Sequence, residues 1–346
     1  MKRIAVEEHF LTGSLLAHLR TRKEWPRLEA VEDDQHNKVD RMYWAPSHYF
    51  VHNDLNLVRR IVDLGEGRLR EMDDSGIDMQ VLSISIPGVE LLDSSSGTTL
   101  AKQINDEVAQ AVRRYPERFS AFAAIAPQDP PSAANELERA VRDLGLKGAV
   151  VNSHIRGEYL DDPKFWIIFE KAEKLGVPIY LHPKQPSPDM IKPYLTYPAL
   201  ANAMWGFAAE ASLHALRLIC SGVFDRYPEV KVILGHLGEA IPFWLWRLDN
   251  HWEKEGKRSL PAKKKPSHYF KNNFFVTTSG MCWLPALQFV SSVLGGERIL
   301  FAADYPFESM KEAVQFIDEA PISDGEREKI YHLNTEKLLA LSQGDD

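Results

Sequence analysis

Short apolar runs separated by amphipathic segments recur along the chain. Eight such runs, rich in valine and isoleucine, begin at Arg3, Met79, Phe119, Lys147, Pro178, Lys231, Phe274 and Ile299. Runs that are continuously apolar are typical of parallel strands covered on both faces. Between them lie segments with helical spacing, such as ANELERAVRDLG and FWIIFEKAEKLG, each ending in a glycine suited to a helix C-terminus. The pattern therefore predicts eight strands that alternate with helices.

Two architectures accommodate eight alternating strands, a closed barrel and a large doubly wound sheet. A doubly wound nucleotide-binding sheet normally carries a glycine-rich phosphate loop after its first strand, whereas this first strand ends in Glu7, Glu8 and His9. We therefore predict a (β/α)8 TIM barrel that forms a single domain over residues 1–346. Residues from about 10 to 57 do not follow the barrel rhythm, and we expect them to form a long loop insertion after strand 1, over the barrel mouth.

Composition restricts the classes of partner and compartment. A hydrophobic content of 44% and a charged content of 26% are typical of a soluble globular protein. The formal net charge of −8, without a basic stripe, argues against nucleic acids and anionic membranes as partners. Two cysteines, Cys220 and Cys282, are too few for a disulfide framework or a cysteine-based zinc site. With neither a signal-peptide pattern nor an apolar run of membrane-spanning length, the sequence predicts a cytoplasmic protein.

The ends of the predicted strands carry the candidate chemistry, because catalytic side chains of β/α barrels lie at the C-terminal ends of strands. Those positions hold Glu7, His9, Asn152, His182, His236 and Asp304. Glu7 and His9 lie two residues apart on one strand, so regular alternation points both into the barrel, where unpaired polar groups are costly. Converging glutamate, histidine and aspartate side chains are typical ligands of Zn²⁺ or Mn²⁺. We predict one divalent metal ion with four ligands: Glu7, His9, His182 and Asp304.

His236 lies in the motif GHLGEA, with Glu239 three residues further on. This spacing favours a histidine that a carboxylate orients and keeps basic, close to the substrate or to a metal-bound water. The alternative is that Glu239 only stabilises the N-terminus of the next helix. The position at a strand end favours the catalytic interpretation.

Five motifs together resemble the amidohydrolase-related, ACMSD-like family of metal-dependent decarboxylases: AVEEHF, YLHPKQP, ILGHLGEAIPFWLWRLD, NFFVTTSG and FAADYPFE. The resemblance covers nearly the whole chain, and the family includes enzymes for γ-resorcylate, 2,3-dihydroxybenzoate and 5-carboxyvanillate. The segment LVRRIVDLGEGRLREMDDSGID looks similar to the 5-carboxyvanillate and hydroxybenzoate branch. His9 in the EEH motif matches the γ-resorcylate pattern instead.

The resemblance also implies roles for single residues. The family's metal ligands match Glu7, His9, His182 and Asp304. His236 and Glu239 match its catalytic pair. Asn152 and Arg247 match positions that contact substrate, with the arginine coming from a neighbouring subunit, and Arg60 matches a carboxylate contact or is an exposed helix arginine. The family's assembly implies a homodimer or homotetramer.

Aromatic decarboxylation sets chemical requirements that these residues can meet. Loss of CO₂ leaves an aryl carbanion unless the ring carbon is protonated first, and an ortho hydroxyl lets the ring accept that proton as a keto form. A divalent metal can fix the carboxylate and phenolate oxygens. Asp304 is the predicted proton donor, which requires a raised pKa. The predicted reaction is the non-oxidative decarboxylation of a small aromatic carboxylate of the 2-hydroxybenzoate type, in the catabolism of aromatic compounds.

Hydrolysis of a lactone, amide or ester is the main alternative reaction, with Asp304 as general base. Hydrolytic barrels of this superfamily usually begin with His-x-His, and two-metal versions place a bridging lysine at the end of strand 4. Here the first motif is Glu7-x-His9, the end of strand 4 carries Asn152, and Lys147 lies at the opposite end of that strand. A hydratase and a non-catalytic metal-binding scaffold are further alternatives, although structural metal sites are usually closed.

Overall fold

Every predicted strand region forms a strand in the computed structural model, which describes residues 1–32, 36, 38–45, 48–51 and 55–341. The strands are β1 (Ile4–Phe10), β2 (Arg27–Glu32), β3 (Lys38–Ala45), β4 (His48–Val51), β5 (Met79–Ile84), β6 (Phe119–Ala121), β7 (Ala123–Ala124), β8 (Ala149–Asn152), β9 (Ile179–His182), β10 (Val232–Leu234), β11 (Phe274–Thr277) and β12 (Ile299–Leu300). Strands β2, β3 and β4 form a separate antiparallel sheet, and the others pair in parallel.

The parallel strands are arranged as the predicted (β/α)8 barrel. Their order is β1-β5-β6 and β7-β8-β9-β10-β11-β12, and Phe122 alone separates β6 from β7. At the two outer strands, the Val6 N–H donates to the Phe301 carbonyl at 2.8 Å and the His9 N–H donates to the Tyr305 carbonyl at 2.7 Å. These bonds join β1 to the chain that follows β12. The C-terminal strand ends therefore face a common mouth.

Helices cover the outside of the barrel. They are α1 (Gly13–Thr21), α2 (Leu55–Val62), α3 (Glu66–Ser75), α4 (Ser94–Arg114), α5 (Pro130–Arg142), α6 (Trp166–Leu175), α7 (Gly206–Ser221), α8 (Val223–Arg226), α9 (His236–Glu239), α10 (Ile241–His251), α11 (Lys257–Ser259), α12 (Pro266–Asn273), α13 (Leu284–Leu294), α14 (Met310–Glu319), α15 (Asp324–Glu328) and α16 (Asn334–Leu339). Ile104 of α4, Leu137 of α5 and Ile168 of α6 are buried in one core with the strands. The predicted glycine cap is present at Gly176, which ends α6 with φ 66°. Across the described residues, every helix is too short or too polar to span a bilayer.

The insertion after β1 differs from the predicted long loop. Its described residues contain helix α1 and the antiparallel sheet β2-β3-β4, followed by α2. Among the side chains that the structure describes in this sheet, Leu28, Val39 and Met42 are buried apolar residues. These residues are spread over β2 and β3 among charged positions and form no clear alternating pattern, so a sheet was not predicted here. Residues 33–35, 37, 46–47 and 52–54 of the insertion lie outside the described part of the chain.

Candidate active site

The end of β1 carries two predicted metal ligands on a distorted strand. The pairing register of β1 with β5 shifts between Val6 and Glu8, and Glu7 has a left-handed backbone with φ 86°. A bulge of this kind bends a strand and re-aims a side chain. Ligand atoms of Glu7 and His9 do come together, within 4.8 Å of each other. A bulge, rather than the regular alternation that we expected, therefore places the two residues.

The Glu7 carboxylate is fully buried, and only one of its two oxygens is hydrogen-bonded. Its Oε2 accepts hydrogen bonds from the hydroxyls of Thr277 and Ser279, both at 2.5 Å. Its Oε1 has no hydrogen-bond partner among the described residues. A Cβ at Gly235 would lie 2.9 Å from Oε1, so glycine at this position leaves room for the carboxylate. One oxygen is thus anchored and the other is free to bind a ligand.

The ring of His182, at the end of β9, is oriented by an amide. Nδ1 of His182 lies 2.9 Å from Oδ1 of Asn152, so the N–H donates to the amide oxygen. Oε1 of Glu90 accepts from Nδ2 of Asn152 at 3.2 Å and from the backbone N–H of Asn152 at 2.6 Å. These two bonds set the orientation of the Asn152 amide. Burial and the neighbouring His9 lower the pKa of His182 well below its usual value. The neutral ring keeps a lone pair on Nε2, the form that binds a metal.

Glu7, His9 and His182 fit one divalent metal ion. Their ligand atoms lie within 4.8 Å of one another, and all three side chains are buried. Oε1 of Glu7 has no hydrogen-bond partner among the described residues, an arrangement that is costly unless a cation satisfies it. Asp304, the fourth predicted ligand, is not part of this three-residue group, but its Oδ1 lies 2.9 Å from Nε2 of His9.

His236 is presented by an unusual turn after β10. Residues 236–240 all have positive φ, between 50° and 84°, and α9 is therefore a left-handed turn. In this turn Nδ1 of His236 lies 2.8 Å from Oε1 of Glu239. Nε2 of His236 faces the metal-binding residues, 3.9 Å from Oε1 of Glu7 and 3.8 Å from Oδ2 of Asp304. The structure thus brings the predicted catalytic pair together beside Asp304, although Glu239 lies before α10 rather than inside it.

The charges around His236 and Asp304 oppose the pKa shift that we expected for Asp304. Burial lowers the pKa of His236, but the carboxylates of Glu239 and Glu7 outweigh burial and raise that pKa well above its usual value. Burial raises the pKa of Asp304, but hydrogen bonding and charge from His236 and His9 outweigh it and hold this pKa well below its usual range. Set by the protein's own groups, this direction is opposite to the raised pKa that we predicted for Asp304, and its role as the proton donor stays a prediction. The nearest neighbours of Asp304 are the imidazoles of His9 and His236. The two pKa directions place the proton that the pair shares on His236.

A cavity of about 150 Å³ lies over these residues. His182, His236 and Asp304 line it, together with the apolar residues Leu16, Leu28, Met42 and Leu57 of the insertion and Ile61 of α2. The polar side chains in its lining are Asp40, Ser85, Gln185, Asn202 and Glu308. The cavity therefore combines the candidate chemical groups with a largely apolar lining, to which the insertion contributes.

The three predicted substrate contacts lie outside this cavity wall. Asn152 is behind His182, as described above. Arg60 donates from Nε to Glu71 at 3.0 Å, and its guanidinium lies 4.7 Å from the centre of the Tyr305 ring. Arg247 is exposed on α10 and lines a separate groove of about 720 Å³ that also reaches Glu239. Substrate contact by these residues stays a prediction.

Several residues of the site were missed at the level of sequence. Thr277 and Ser279 lie at the end of β11, and the rule that selected the other strand ends would also have selected them. Glu90 lies in the connection between β5 and α4, where no sequence pattern marks it. Tyr180 is fully buried in the middle of β9 and has no hydrogen-bond partner for its hydroxyl among the described residues, but its position resembles ordinary core packing.

The fold and the site together define a metal-dependent enzyme of the β/α-barrel class. The chain belongs to the amidohydrolase family, whose model matches residues 22–341. It is 36% identical to the γ-resorcylate decarboxylase of a Polaromonas species over 353 residues, which cover 99% of each chain.

Solved structures of decarboxylases are likewise similar to this chain over nearly its full length. The crystal structure of 5-carboxyvanillate decarboxylase from Sphingomonas paucimobilis has a TM-score of 0.87 and 38% identity, covering 99% of both chains. The dihydroxybenzoic acid decarboxylase of Polaromonas, solved with bound manganese and the inhibitor 2-nitroresorcinol, has a TM-score of 0.84 and 36% identity, covering 99% of this chain and 98% of that one. The Glu7–His9–His182 group agrees with one divalent metal in this chain too.

Proposed function

We propose that this chain is a metal-dependent decarboxylase that releases CO₂ from a 2-hydroxybenzoate without oxidation. One observation carries the proposal: the buried ligand atoms of Glu7, His9 and His182 lie next to His236 and Asp304, a pair that can deliver a proton, at the wall of a small cavity. A ligand for the carboxylate and a source of one proton are what this reaction needs. The names of the full-length relatives support the same reaction class.

Glu7, His9 and His182 would hold the metal, with Asp304 as a fourth ligand. When bound, a divalent metal supplies positive charge that fixes and polarises the carboxylate and ortho-oxygen groups of the substrate. Thr277 and Ser279 keep Oε2 of Glu7 in place, so that Oε1 remains directed to the metal. Asn152 holds His182 in the tautomer that leaves Nε2 free. The apolar wall from the insertion then excludes water from one face of the ring.

The proton for the ring carbon comes from the His236–Asp304 pair. At neutral pH, His236 holds the proton because Glu239 and Glu7 raise its pKa. Oδ2 of Asp304 lies 3.8 Å from Nε2 of His236, and Asp304 passes the proton to the ring carbon that bears the carboxylate. A C–H bond forms at that carbon, the C–C bond to the carboxylate breaks, and its electron pair returns to the ring. CO₂ and the phenol are the products.

The surroundings of β8 favour decarboxylation over two-metal hydrolysis. Lys147, at the start of this strand, donates to the Ala340 carbonyl at 3.2 Å, on the side away from the mouth. At the mouth, the end of β8 carries Asn152 and Ser153, both bonded to other side chains. No described lysine thus stands at the end of β8, where a two-metal site would need one.

We also propose that the protein works as a homo-oligomer in the cytoplasm, with a small aromatic carboxylate as its substrate. The outer face of α10 exposes Phe243, Trp244 and Trp246, which are 70%, 50% and 77% accessible. An exposed aromatic cluster of this kind is typical of a protein interface. Arg247 follows directly on the same helix, and a second copy could bring its guanidinium to the substrate as the family resemblance implies.

A substrate panel tests the proposed reaction. The Mn²⁺-loaded protein is incubated with 2,6-dihydroxybenzoate, 2,3-dihydroxybenzoate and 5-carboxyvanillate, and CO₂ and the phenolic product are measured. The matched control is 4-hydroxybenzoate, whose ring lacks the ortho hydroxyl. We expect CO₂ from at least one ortho-hydroxy acid, none from the control and none after metal removal. Absence of CO₂ across the panel, together with hydrolysis of a lactone, amide or ester, would contradict the proposal.

A further inference from the structure

The carboxylate of Glu8 lies outside the cavity and faces the helix layer. It is fully buried, and Oε2 accepts from Nε2 of Gln80 at 3.2 Å. Gln80 in turn contacts Arg68 of α3 and Met310 of α14. Glu8 is therefore neither a member of the metal-binding group nor a residue that lines the substrate cavity.

Glu8 holds the backbone on both sides of Asp304. Its Oε1 accepts the Ala303 N–H at 2.8 Å, and its Oε2 accepts the Tyr305 N–H at 3.3 Å. Asp304 lies between these two anchors and has a left-handed backbone with φ 61°. A non-glycine residue in this conformation is strained, and it persists only where the surroundings hold it.

The bulge in β1 explains why a side chain is needed here. Buried N–H groups require an acceptor, which in a regular parallel ladder is a carbonyl of the neighbouring strand. The register of β1 shifts at Glu7, and β12 ends at Leu300, before Ala303 and Tyr305 are reached. The Glu8 carboxylate supplies the acceptors for these two N–H groups.

The same buried network also reaches a metal ligand. Nη1 of Arg68 donates to Oε1 of Gln80 at 3.3 Å, and Nη2 donates to the carbonyl of His9 at 2.5 Å. Burial raises the pKa of Glu8 to about 8, and the N–H donors of Ala303 and Tyr305 offset part of that cost. Arg68, Gln80 and Glu8 therefore connect the backbone of His9 to the backbone of Asp304.

We propose that Glu8 is a positioning residue for the decarboxylation, which holds the carboxylate of Asp304 at its working distance from His236. The inference rests on the proposed function, because it assigns Glu8 an effect on proton delivery. Displacement of a reacting group by about 1 Å can cost on the order of 100-fold in rate. The loss should therefore appear in kcat, whereas the Glu7–His9–His182 group should still bind a metal.

The test is the variant Glu8→Gln. Three N–H donors surround the carboxylate, and a glutamine directs its own NH₂ group against at least one of them. We expect kcat to fall on the order of 10- to 100-fold, with KM within about threefold and one Mn²⁺ still bound per chain. Glu136→Gln is the matched control, because Glu136 is equally buried but bonds to Asn105 and Arg139 of the helix layer. Its kcat should stay at the wild-type value, even where its melting temperature falls.

Amide hydrogen exchange provides a second measurement that does not depend on activity. We expect the Ala303 and Tyr305 amides to lose protection in Glu8→Gln and to keep it in Glu136→Gln. If Glu8→Gln does not fold, Glu8→Asp, which keeps the carboxyl group but withdraws it by one methylene, carries the same expectations. An unchanged kcat with unchanged protection, or weakened Mn²⁺ binding with unchanged kcat, would overturn the inference. A wild type that is inactive on every 2-hydroxybenzoate refutes the proposed function instead, and the exchange data then decide whether Glu8 holds this segment.

Discussion

Two buried atoms, Oε1 of Glu7 and Nε2 of His9, determine the chemistry of the site at the residue scale. Oε1 of Glu7 has no hydrogen-bond partner among the described residues, and Nε2 of His9 lies 2.9 Å from the carboxylate of Asp304, the fourth predicted ligand. A buried polar atom without a partner costs about 1–3 kcal/mol. Folding tolerates that cost where a ligand removes it, and a divalent metal is the ligand that a carboxylate and two imidazoles select.

Asp304→Asn should abolish turnover and leave metal bound. The amide cannot carry the proton between His236 and the ring carbon, whereas Glu7, His9 and His182 remain as ligands. Steady-state decarboxylation and Mn²⁺ stoichiometry measure the two effects. Asp161→Asn, which breaks a surface ion pair with Arg217, is the control and should remain active. Substantial activity in Asp304→Asn would remove this residue as the proton donor.

Glu239→Gln should shift the pH dependence of kcat. In the wild type the carboxylates of Glu239 and Glu7 raise the pKa of His236, so the ring keeps its proton at neutral pH and loses it as the pH rises through that pKa. Without the Glu239 charge this pKa is lower, and the alkaline fall in kcat should begin roughly 1 pH unit or more earlier. A pH–rate profile measures the shift. Glu255→Gln, which removes the exposed pair with His251, is the control, and an unchanged alkaline limb in Glu239→Gln would contradict the assignment.

At the scale of elements, two irregularities build the site, the bulge in β1 and the left-handed turn α9. They meet at Gly235, where the absence of a side chain admits the Glu7 carboxylate. Irregular backbone of this kind is common at functional sites, because regular strands and helices place side chains only at fixed intervals.

Gly235→Ala should weaken metal binding with little loss of fold. The new Cβ would lie 2.9 Å from Oε1 of Glu7, and that carboxylate cannot move without losing its bonds to Thr277 and Ser279. We expect Mn²⁺ affinity to fall on the order of 10-fold, measured by calorimetric titration. Gly325→Ala is the control, since a Cβ there meets no atom within 4 Å. Equal affinities in the two variants would show that Gly235 does not shape the site.

The regular elements were predictable and the irregular ones were not. Continuous apolar runs identified the barrel strands, because a strand buried on both faces needs apolar residues at successive positions. The ends of those strands then gave Glu7, His9, His182, His236 and Asp304 as a group. The bulge at Glu7 leaves no such pattern, since nothing in AVEEHF marks a left-handed residue. The antiparallel sheet was missed because few of its residues are buried aliphatics.

At the scale of the whole molecule, the barrel and its insertion both line the cavity. The barrel provides rigid strand ends for the metal and the proton, and the insertion provides an apolar wall. Changes in the insertion can therefore alter substrate preference without moving the ligands. The outer face of α10 remains exposed in the single chain, with three aromatic residues and Arg247 side by side.

Trp246→Glu should reduce the size of the assembly. A charge at this position, which is 77% accessible in the single chain, would be buried unpaired in an interface formed by α10. Size-exclusion chromatography with light scattering should show a wild-type dimer or tetramer and a smaller variant. Ile167→Glu on α6, another exposed apolar site, is the control and should leave the mass unchanged. A monomeric wild type would contradict the proposed interface.

Decarboxylation in D₂O is the sharpest test of the proposed proton delivery, because it follows the proton as well as the CO₂. The Mn²⁺-loaded protein is incubated with 2,6-dihydroxybenzoate and the other ortho-hydroxy acids, and the phenolic product is analysed by mass spectrometry and NMR. The account predicts one deuterium at the ring carbon that carried the carboxylate, and none of this product with Asp304→Asn. A wild type that releases no CO₂ from any of these acids, or an Asp304→Asn variant that makes the deuterated product at the wild-type rate, would contradict it.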